Sequence, residues 1–160
     1  MSPITAKKPS PDEVEQQGEE SIQLLENLQS IKLATGSRQR KKTENGLKED
    51  EVIVLGMLQK NGIMIVGDIQ RVLGVLPAQM SRIVRSLENR EQAFIQCSIN
   101  SRDKRKIDVE LLEAGQKILH KINERRARRL DCVPLELLQE ANSTLAEIIR
   151  IIRENTDETL

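Results

Sequence analysis

Residues Leu73 to Gly115 read LGVLPAQMSRIVRSLENREQAFIQCSINSRDKRKIDVELLEAG, and the two halves of this stretch obey different periods. In the first half Met80, Ile83, Val84 and Leu87 recur at spacings of three and four, the mark of a helix with one apolar stripe. These four residues are candidate core. The other side carries Ala78, Gln79, Ser81, Arg82, Arg85 and Ser86, short, polar or basic side chains of the kinds that reach base edges and phosphates in a major groove. In the second half Phe94, Gln96 and Ser98 alternate with Ile95, Cys97 and Ile99, the period of a half-buried strand. A return strand follows, with Ile107, Val109 and Leu111 interleaved with Lys106, Asp108 and Glu110. The tip between them is Asn100-Ser101-Arg102-Asp103-Lys104-Arg105.

Charge separates this region from the rest of the chain. From Arg71 to Lys106 there are eight cations (Arg71, Arg82, Arg85, Arg90, Arg102, Lys104, Arg105, Lys106) against three acids (Glu88, Glu91, Asp103), in a chain whose formal net charge is zero. A local positive excess of this kind is the electrostatic footprint of phosphate binding.

Upstream, residues 1–18 are rich in Pro, Ser, Gln and charge and read as a disordered tail. Residues 19–37 read as an amphipathic helix, with Ile22, Leu25 and Leu28 on one face and Leu24 and Ile31 one ridge over. Such a helix is too short to be stable alone, so its apolar face needs a partner. Residues 38–46 form a basic, breaker-rich linker whose Arg38, Arg40, Lys41 and Lys42 could touch phosphates, although a solvated loop is the commoner explanation. Leu47 to Lys60 predicts a helix burying Val52, Leu55 and Met57 or Leu58, stopped at Asn61-Gly62. Val66 to Leu73 predicts a short helix with Ile69, Val72 and Leu73 inward; Gly74 marks the turn, and Pro77 suits the first position of the next helix.

Downstream, Glu113 to Leu130 predicts a helix with Ile118, Leu119, Ile122 and Leu130 on one side and Arg125, Arg126, Arg128 and Arg129 in its last turns. Pro134 opens another, in which Leu138, Ala141, Leu145, Ile148 and Ile152 form a heptad-like seam, too short for a free coiled coil. Ile149 and Ile151 widen that stripe, which calls for burial against a second subunit.

The order helix, helix, hairpin with a D-x-R tip, then L-x-x-x-G opening a long helix resembles the MarR-type winged helix-turn-helix regulators. The matching pieces are Leu47 to Leu58, Asp68 to Gly74, Ser81 to Glu88 and Asp103 to Gly115. The resemblance implies a mainly α fold with a small β-hairpin wing, residues 47–112 forming the DNA-binding domain. It implies dimerisation through the N-terminal helix (19–37) and the C-terminal helices (113–154), with 155–160 a flexible tail. The function implied is a homodimeric, sequence-specific regulator of transcription that binds double-stranded DNA at a pseudo-palindromic operator. A repressor is implied, though no residue separates repressor from activator. Candidate DNA-binding residues are Pro77, Ala78, Gln79, Ser81, Arg82 and Arg85 on the helix and Arg102, Lys104 and Arg105 on the wing. In the resembled family the arginine at the Arg105 position enters the minor groove, and the aspartate at Asp103 holds the tip's shape. Candidate dimerisation residues are Ile22, Leu25, Leu28, Leu138, Leu145, Ile148 and Ile152.

One departure from the family is systematic. Where it usually places Ser or Thr at helix starts, this chain has Lys48, Ile65, Leu76 and Leu112. A missing cap costs about 0.5–2 kcal/mol, and each absent hydroxyl removes a candidate phosphate contact. Weaker DNA binding is therefore expected, and a winged helix used for protein contacts is the alternative.

Composition excludes several other classes. With one histidine (His120), two cysteines (Cys97, Cys132) and no C-x-x-C, no metal-site pattern exists. No clustered carboxylates or Gly-rich phosphate loop suggest an enzyme or a cofactor. The cysteines read as reduced thiols, with a redox switch the lesser alternative. Aromatic content is 1%, the single Phe94, so the core must be aliphatic and base stacking is disfavoured. The N-terminus has no apolar run like a secretion signal, and no stretch approaches a membrane span, so a cytoplasmic protein is expected. A small-molecule effector is left open.

Overall fold

In a computed structural model the described residues are 10–35 and 46–157. The expected basic residues Arg38, Arg40, Lys41 and Lys42, tail residues 1–9 and residues 158–160 lie outside them. The chain divides into two units, residues 1–38 and 39–160.

The first unit is helix α1, Pro11–Thr35. It begins well ahead of Glu19, so residues 11–18 are helical rather than tail. The reason is a capping box at Ser10-Pro11-Asp12-Glu13. The Ser10 N–H donates to Glu13 Oε2 at 2.6 Å, and the Glu13 N–H donates to Ser10 Oγ at 3.3 Å. Proline at the first helical position and acids in the first turn complete the start. No residue of α1 is buried, and Ile22, Leu25 and Leu28 are exposed.

The second unit runs α2 (Glu49–Asn61), β1 (Met64–Ile65), α3 (Val66–Leu73), α4 (Pro77–Glu88), β2 (Ile95–Ile99), β3 (Ile107–Leu111), α5 (Glu113–Ala127), a 3-10 turn (Arg128–Leu130) and α6 (Leu135–Asp157). Its core is aliphatic: Leu47, Val54, Leu55 and Leu58 from α2 and its approach, Ile69 from α3, Met80, Ile83 and Leu87 from α4, Ile95 and Val109 from the sheet, Leu119 and Ile122 from α5. Val84, like Met57 and Leu73, packs partly buried against it. Val72, expected inward, is 70% exposed. Val66, Ile69 and Leu73 already fill the inward third of this short helix. At about 100° per residue, Val72 falls off its edge.

The sheet is antiparallel, in the order β1-β3-β2. The hairpin register pairs Ile95 with Leu111, Cys97 with Val109 and Ile99 with Ile107. Two-residue strand β1, absent from the sequence reading, pairs Met64 with Val109 and Ile65 with Asp108. Apolar alternation places Ile95 and Val109 in the core, but Ile99 and Ile107 lie nearer the tip and are exposed.

Phe94 fastens the hairpin at its root. Its N–H donates to the Leu87 carbonyl at 3.0 Å, and its own carbonyl accepts from the Leu112 N–H at 2.9 Å. A Cβ at Gly115 would collide with that carbonyl oxygen and with Leu111 Cδ1, so only glycine lets α5 start here.

Beyond α5, α6 leaves its apolar residues half-buried (Leu138, Leu145, Ile148) or exposed (Leu135, Leu137, Ile149, Ile151, Ile152). Among the described residues no helix is long and apolar enough to cross a membrane.

Candidate nucleic-acid interface

The turn between α3 and α4 sets the candidate reading helix. Gly74 adopts φ 64°, and its N–H closes α3 on the carbonyls of Gln70 (3.0 Å) and Arg71 (3.2 Å). Pro77 then opens α4 where its missing N–H has no cost. Burying Met80, Ile83 and Leu87 turns Ala78, Gln79, Ser81, Arg82, Arg85 and Ser86 outward, and all six are exposed. The Ser81 hydroxyl donates to the Pro77 carbonyl at 3.0 Å. Gln79 Nε2 donates to Asp50 Oδ2 at 3.1 Å. Among the described residues no carboxylate pairs with Arg82 or Arg85.

The wing tip is built by Asn100 and Asp103. Asn100 Oδ1 accepts from the backbone N–H groups of Arg102 and Asp103, each at 2.9 Å, while its Nδ2 donates to Asp108 Oδ1 at 2.8 Å. Asp103 Oδ1 accepts from the Arg105 backbone N–H at 3.1 Å and from Arg105 Nε at 3.2 Å. These side chains replace the backbone ladder where the chain reverses. The Arg105 side chain beside Asp103 lowers its carboxyl pKa, with a smaller contribution from Lys106. A lowered folded pKa means that the stability from this contact is present above the unfolded carboxylate pKa and is lost as pH falls through the folded one. Arg102, Lys104 and Arg105 are exposed. Among the described residues Arg102 and Lys104 have no acidic partner.

Four of the eight cations counted in the sequence meet a carboxylate: Arg105 and Lys106 share Asp103 at the wing tip, and Arg90 and Arg71 have partners of their own. Arg90 Nη2 lies 3.7 Å from Glu51 Oε2, its Nε donates to the Ser86 carbonyl at 3.1 Å, and its guanidinium stands 4.9 Å from the centre of the Phe94 ring. Glu51 is buried and also accepts the Lys48 N–H at 2.7 Å. Arg90 is thus a latch between α4 and α2. Arg71 forms an exposed pair with Asp68 at 3.3 Å, worth little.

Sequence reading missed the first turn of α2. Glu49, Asp50 and Glu51 are consecutive acids, each with a different partner: Arg126 of α5 at 2.7 Å, Gln79 of α4, and Arg90. They suit the positive end of a helix dipole, and Asp50 brings negative charge to α4. The signal was present as Lys48-Glu49-Asp50-Glu51, but nothing in the sequence told which helix it would face. The four N-caps Lys48, Ile65, Leu76 and Leu112 make no side-chain capping bond. At α2 only the returning half of a capping box exists, since a lysine ammonium has no acceptor.

The remaining candidates lie elsewhere. Ile22, Leu25 and Leu28 are on α1; Leu138, Leu145, Ile148 and Ile152 are on α6. Cys97, half-buried on β2, has its thiol pKa pushed up to about 11 by burial and by the neighbouring Glu88 carboxylate. Cys132 is exposed.

No family model and no curated protein sequence matches the chain. Solved structures do. The YusO protein from Bacillus subtilis is 24% identical, with a TM-score of 0.54 over 89% of this chain and 99% of that one. MarR from E. coli is 13% identical, with a TM-score of 0.63 over 80% and 94%. AbfR, solved in its reduced form bound to DNA, is 15% identical, with a TM-score of 0.60 over 90% and 96%. At such identities the likeness is one of fold. The chain has the MarR-type winged helix-turn-helix fold.

Proposed function

We propose that this protein is a transcriptional regulator that binds double-stranded DNA as a homodimer, α4 entering the major groove and the wing lying along the backbone. The observation that carries this reading is α4 itself. Its inner face is sealed in the core, while Gln79, Arg82 and Arg85 stand outward, both arginines free of carboxylate partners among the described residues. A helix so placed presents bidentate donors to base edges and cations to phosphates. Arg102 and Lys104, without acidic partners among the described residues, and Arg105 extend that positive surface to the wing. The shared fold adds support, since AbfR was solved on DNA.

The apolar faces of α1 and α6 support self-association, because residues such as Leu25 and Ile152 lie open. A twofold dimer would set two reading helices roughly 34 Å apart, matching a pseudo-palindromic site. We read the protein as a repressor, occupancy of such a site blocking the promoter. A reporter whose expression rises when the gene is removed supports this.

The test of DNA binding is a salt titration of a duplex selected from a random pool. Arg82→Ala and Arg105→Ala should each weaken binding and flatten the dependence of log K on log salt by about one unit. Salt-independent or sequence-blind binding refutes it. One observation favours a second reading, a winged helix that docks on protein. The reading helix starts at the uncapped Leu76 and faces the Asp50 carboxylate. In that case neither arginine would alter DNA binding, and sedimentation would still show a dimer.

A further inference from the structure

Resting on the DNA-binding reading, we infer that Asp50 is a positioning residue for base choice: it holds the Gln79 amide so that its carbonyl oxygen faces the groove, selecting a base that offers an exocyclic amino group there. An ionised carboxylate only accepts hydrogen bonds, and an amide donates only from nitrogen. The 3.1 Å contact between Gln79 Nε2 and Asp50 Oδ2 therefore fixes which end of the amide points where. Nitrogen is turned toward α2, and Oε1 is left without a partner among the described residues. Rotating the amide by half a turn would set two acceptors against each other.

The backbone that carries this carboxylate is held on both sides. Glu49 is held by Arg126 at 2.7 Å. Glu51 is held by the Lys48 N–H at 2.7 Å and by Arg90. Asp50 and Gln79 stand together on one open cleft of about 460 Å³ between α2 and α4, so an approaching base edge meets the amide already oriented.

In the major groove adenine N6 and cytosine N4 are donors, whereas guanine O6 and thymine O4 are acceptors. An outward carbonyl oxygen pairs with the first two and repels the second two. An unrestrained glutamine serves both, since its amide can flip. Asp50 thus converts an adaptable side chain into an amino-versus-keto discriminator. Its charge also opposes nearby phosphates, so it lowers affinity as it sharpens choice.

The experiment selects duplexes from a random pool with the full-length protein, then measures affinities for duplexes differing at one position. Gln79→Ala identifies the half-site position that Gln79 reads, as the one whose preference collapses. Wild-type protein should prefer adenine or cytosine over guanine or thymine there, by about tenfold. Asp50→Ala should cut that ratio to about twofold or less while raising affinity for all duplexes. Asp50→Asn keeps the shape but carries a donor as well as an acceptor, so its amide can flip together with that of Gln79. It should therefore raise affinity and cut the ratio as Asp50→Ala does, and a melting curve like that of wild type shows it folded. An unchanged ratio in Asp50→Ala or in Asp50→Asn overturns the inference and leaves DNA binding standing. A keto base preferred by wild type also overturns it. If the wild-type protein selects no duplex, both this inference and the DNA-binding reading fall.

Discussion

Replacing Arg90 by methionine separates a structural cation from a DNA-binding one. The substitution keeps an apolar stem of similar length against the Phe94 ring and removes the guanidinium. That group stands 3.7 Å from the Glu51 carboxylate, with the two side chains 23% and 3% exposed. At an effective dielectric near 20 the attraction at this distance is about 4.5 kcal/mol, before the desolvation that forming the pair required. Truncating one partner of a buried pair costs about 3–5 kcal/mol because the other charge stays behind. Here Glu51 keeps its bond from the Lys48 N–H, and Arg90 is partly hydrated, so the lower end applies. The variant also loses hydrogen bonds to the carbonyls of Ser86 and Gly46. A loss of about 3 kcal/mol should lower Tm by on the order of 10 °C for a chain of this size. Thermal unfolding followed by circular dichroism measures it. A double-mutant cycle with Glu51→Gln should return a coupling of about 1.5 kcal/mol or more. The salt dependence of DNA binding should stay within half a unit of wild type, unlike that of Arg82→Ala. A Tm within 2 °C of wild type, with a salt slope flattened by about one, would refute the latch and return Arg90 to the phosphate-facing set.

Three further outcomes are expected. Leu76→Ser supplies a hydroxyl within reach of the Gln79 N–H at the start of α4 and gives up a side chain already 73% exposed. Stability should rise by about 0.5–1 kcal/mol and DNA affinity should increase, a Tm at or below wild type counting against the cap argument. Gly115→Ala gains about 1 kcal/mol of helix propensity. It drives a Cβ into the Phe94 carbonyl oxygen, a backbone atom that cannot step aside. Overpacking of this kind costs about 1–3 kcal/mol, so unfolding in urea should show a net loss, and a stabilised variant would mean the wing root is loose. Cys97, with a pKa near 11, exposes only about one thiolate in ten thousand at pH 7. Iodoacetamide should therefore modify the exposed Cys132 first, with Cys97 reacting appreciably only as pH climbs toward 11; equal labelling at pH 7, read by peptide mass, would contradict that order.

Helix α4 and the hairpin were legible because each presents its own period to one core: Met80, Ile83 and Leu87 in one, Ile95 and Val109 in the other. Three kinds of feature were not. The start of α1 was hidden by composition, since proline and acids resemble a tail until Ser10 and Glu13 are seen as a capping box. Strand β1 is too short to carry any alternation, and it exists because β3 offers an open edge at Val109 and Asp108. The partners of Asp50 and Arg90 lie across gaps of 29 and 39 positions in the chain, Asp50 to Gln79 and Glu51 to Arg90. Local pattern holds no record of such pairings. For the same reason Arg90 was counted with the DNA-facing cations although it points back into the protein.

Counting cations from sequence overstates the charge this surface offers to phosphate. Arg90 is bound to a buried carboxylate, and Arg71 and Arg105 each share an aspartate within their own segment. Exposed pairs of that sort exchange partners at little cost, so on the proposed reading Arg105 can still turn to a phosphate or groove whereas Arg90 cannot. Among the described residues Arg82, Arg85, Arg102 and Lys104 carry the charge that no carboxylate shares. Against them stand the acidic first turn of α2 and four helix starts without a hydroxyl to offer a phosphate. The acids serve the fold, capping a dipole and tying α2 to α4 and α5, so removing them to strengthen DNA binding would loosen the platform on which α4 rests. On the proposed reading stability and DNA affinity are opposed in this turn, and Asp50, whose side chain bonds only Gln79 among the described residues, is the acid at which they can be separated.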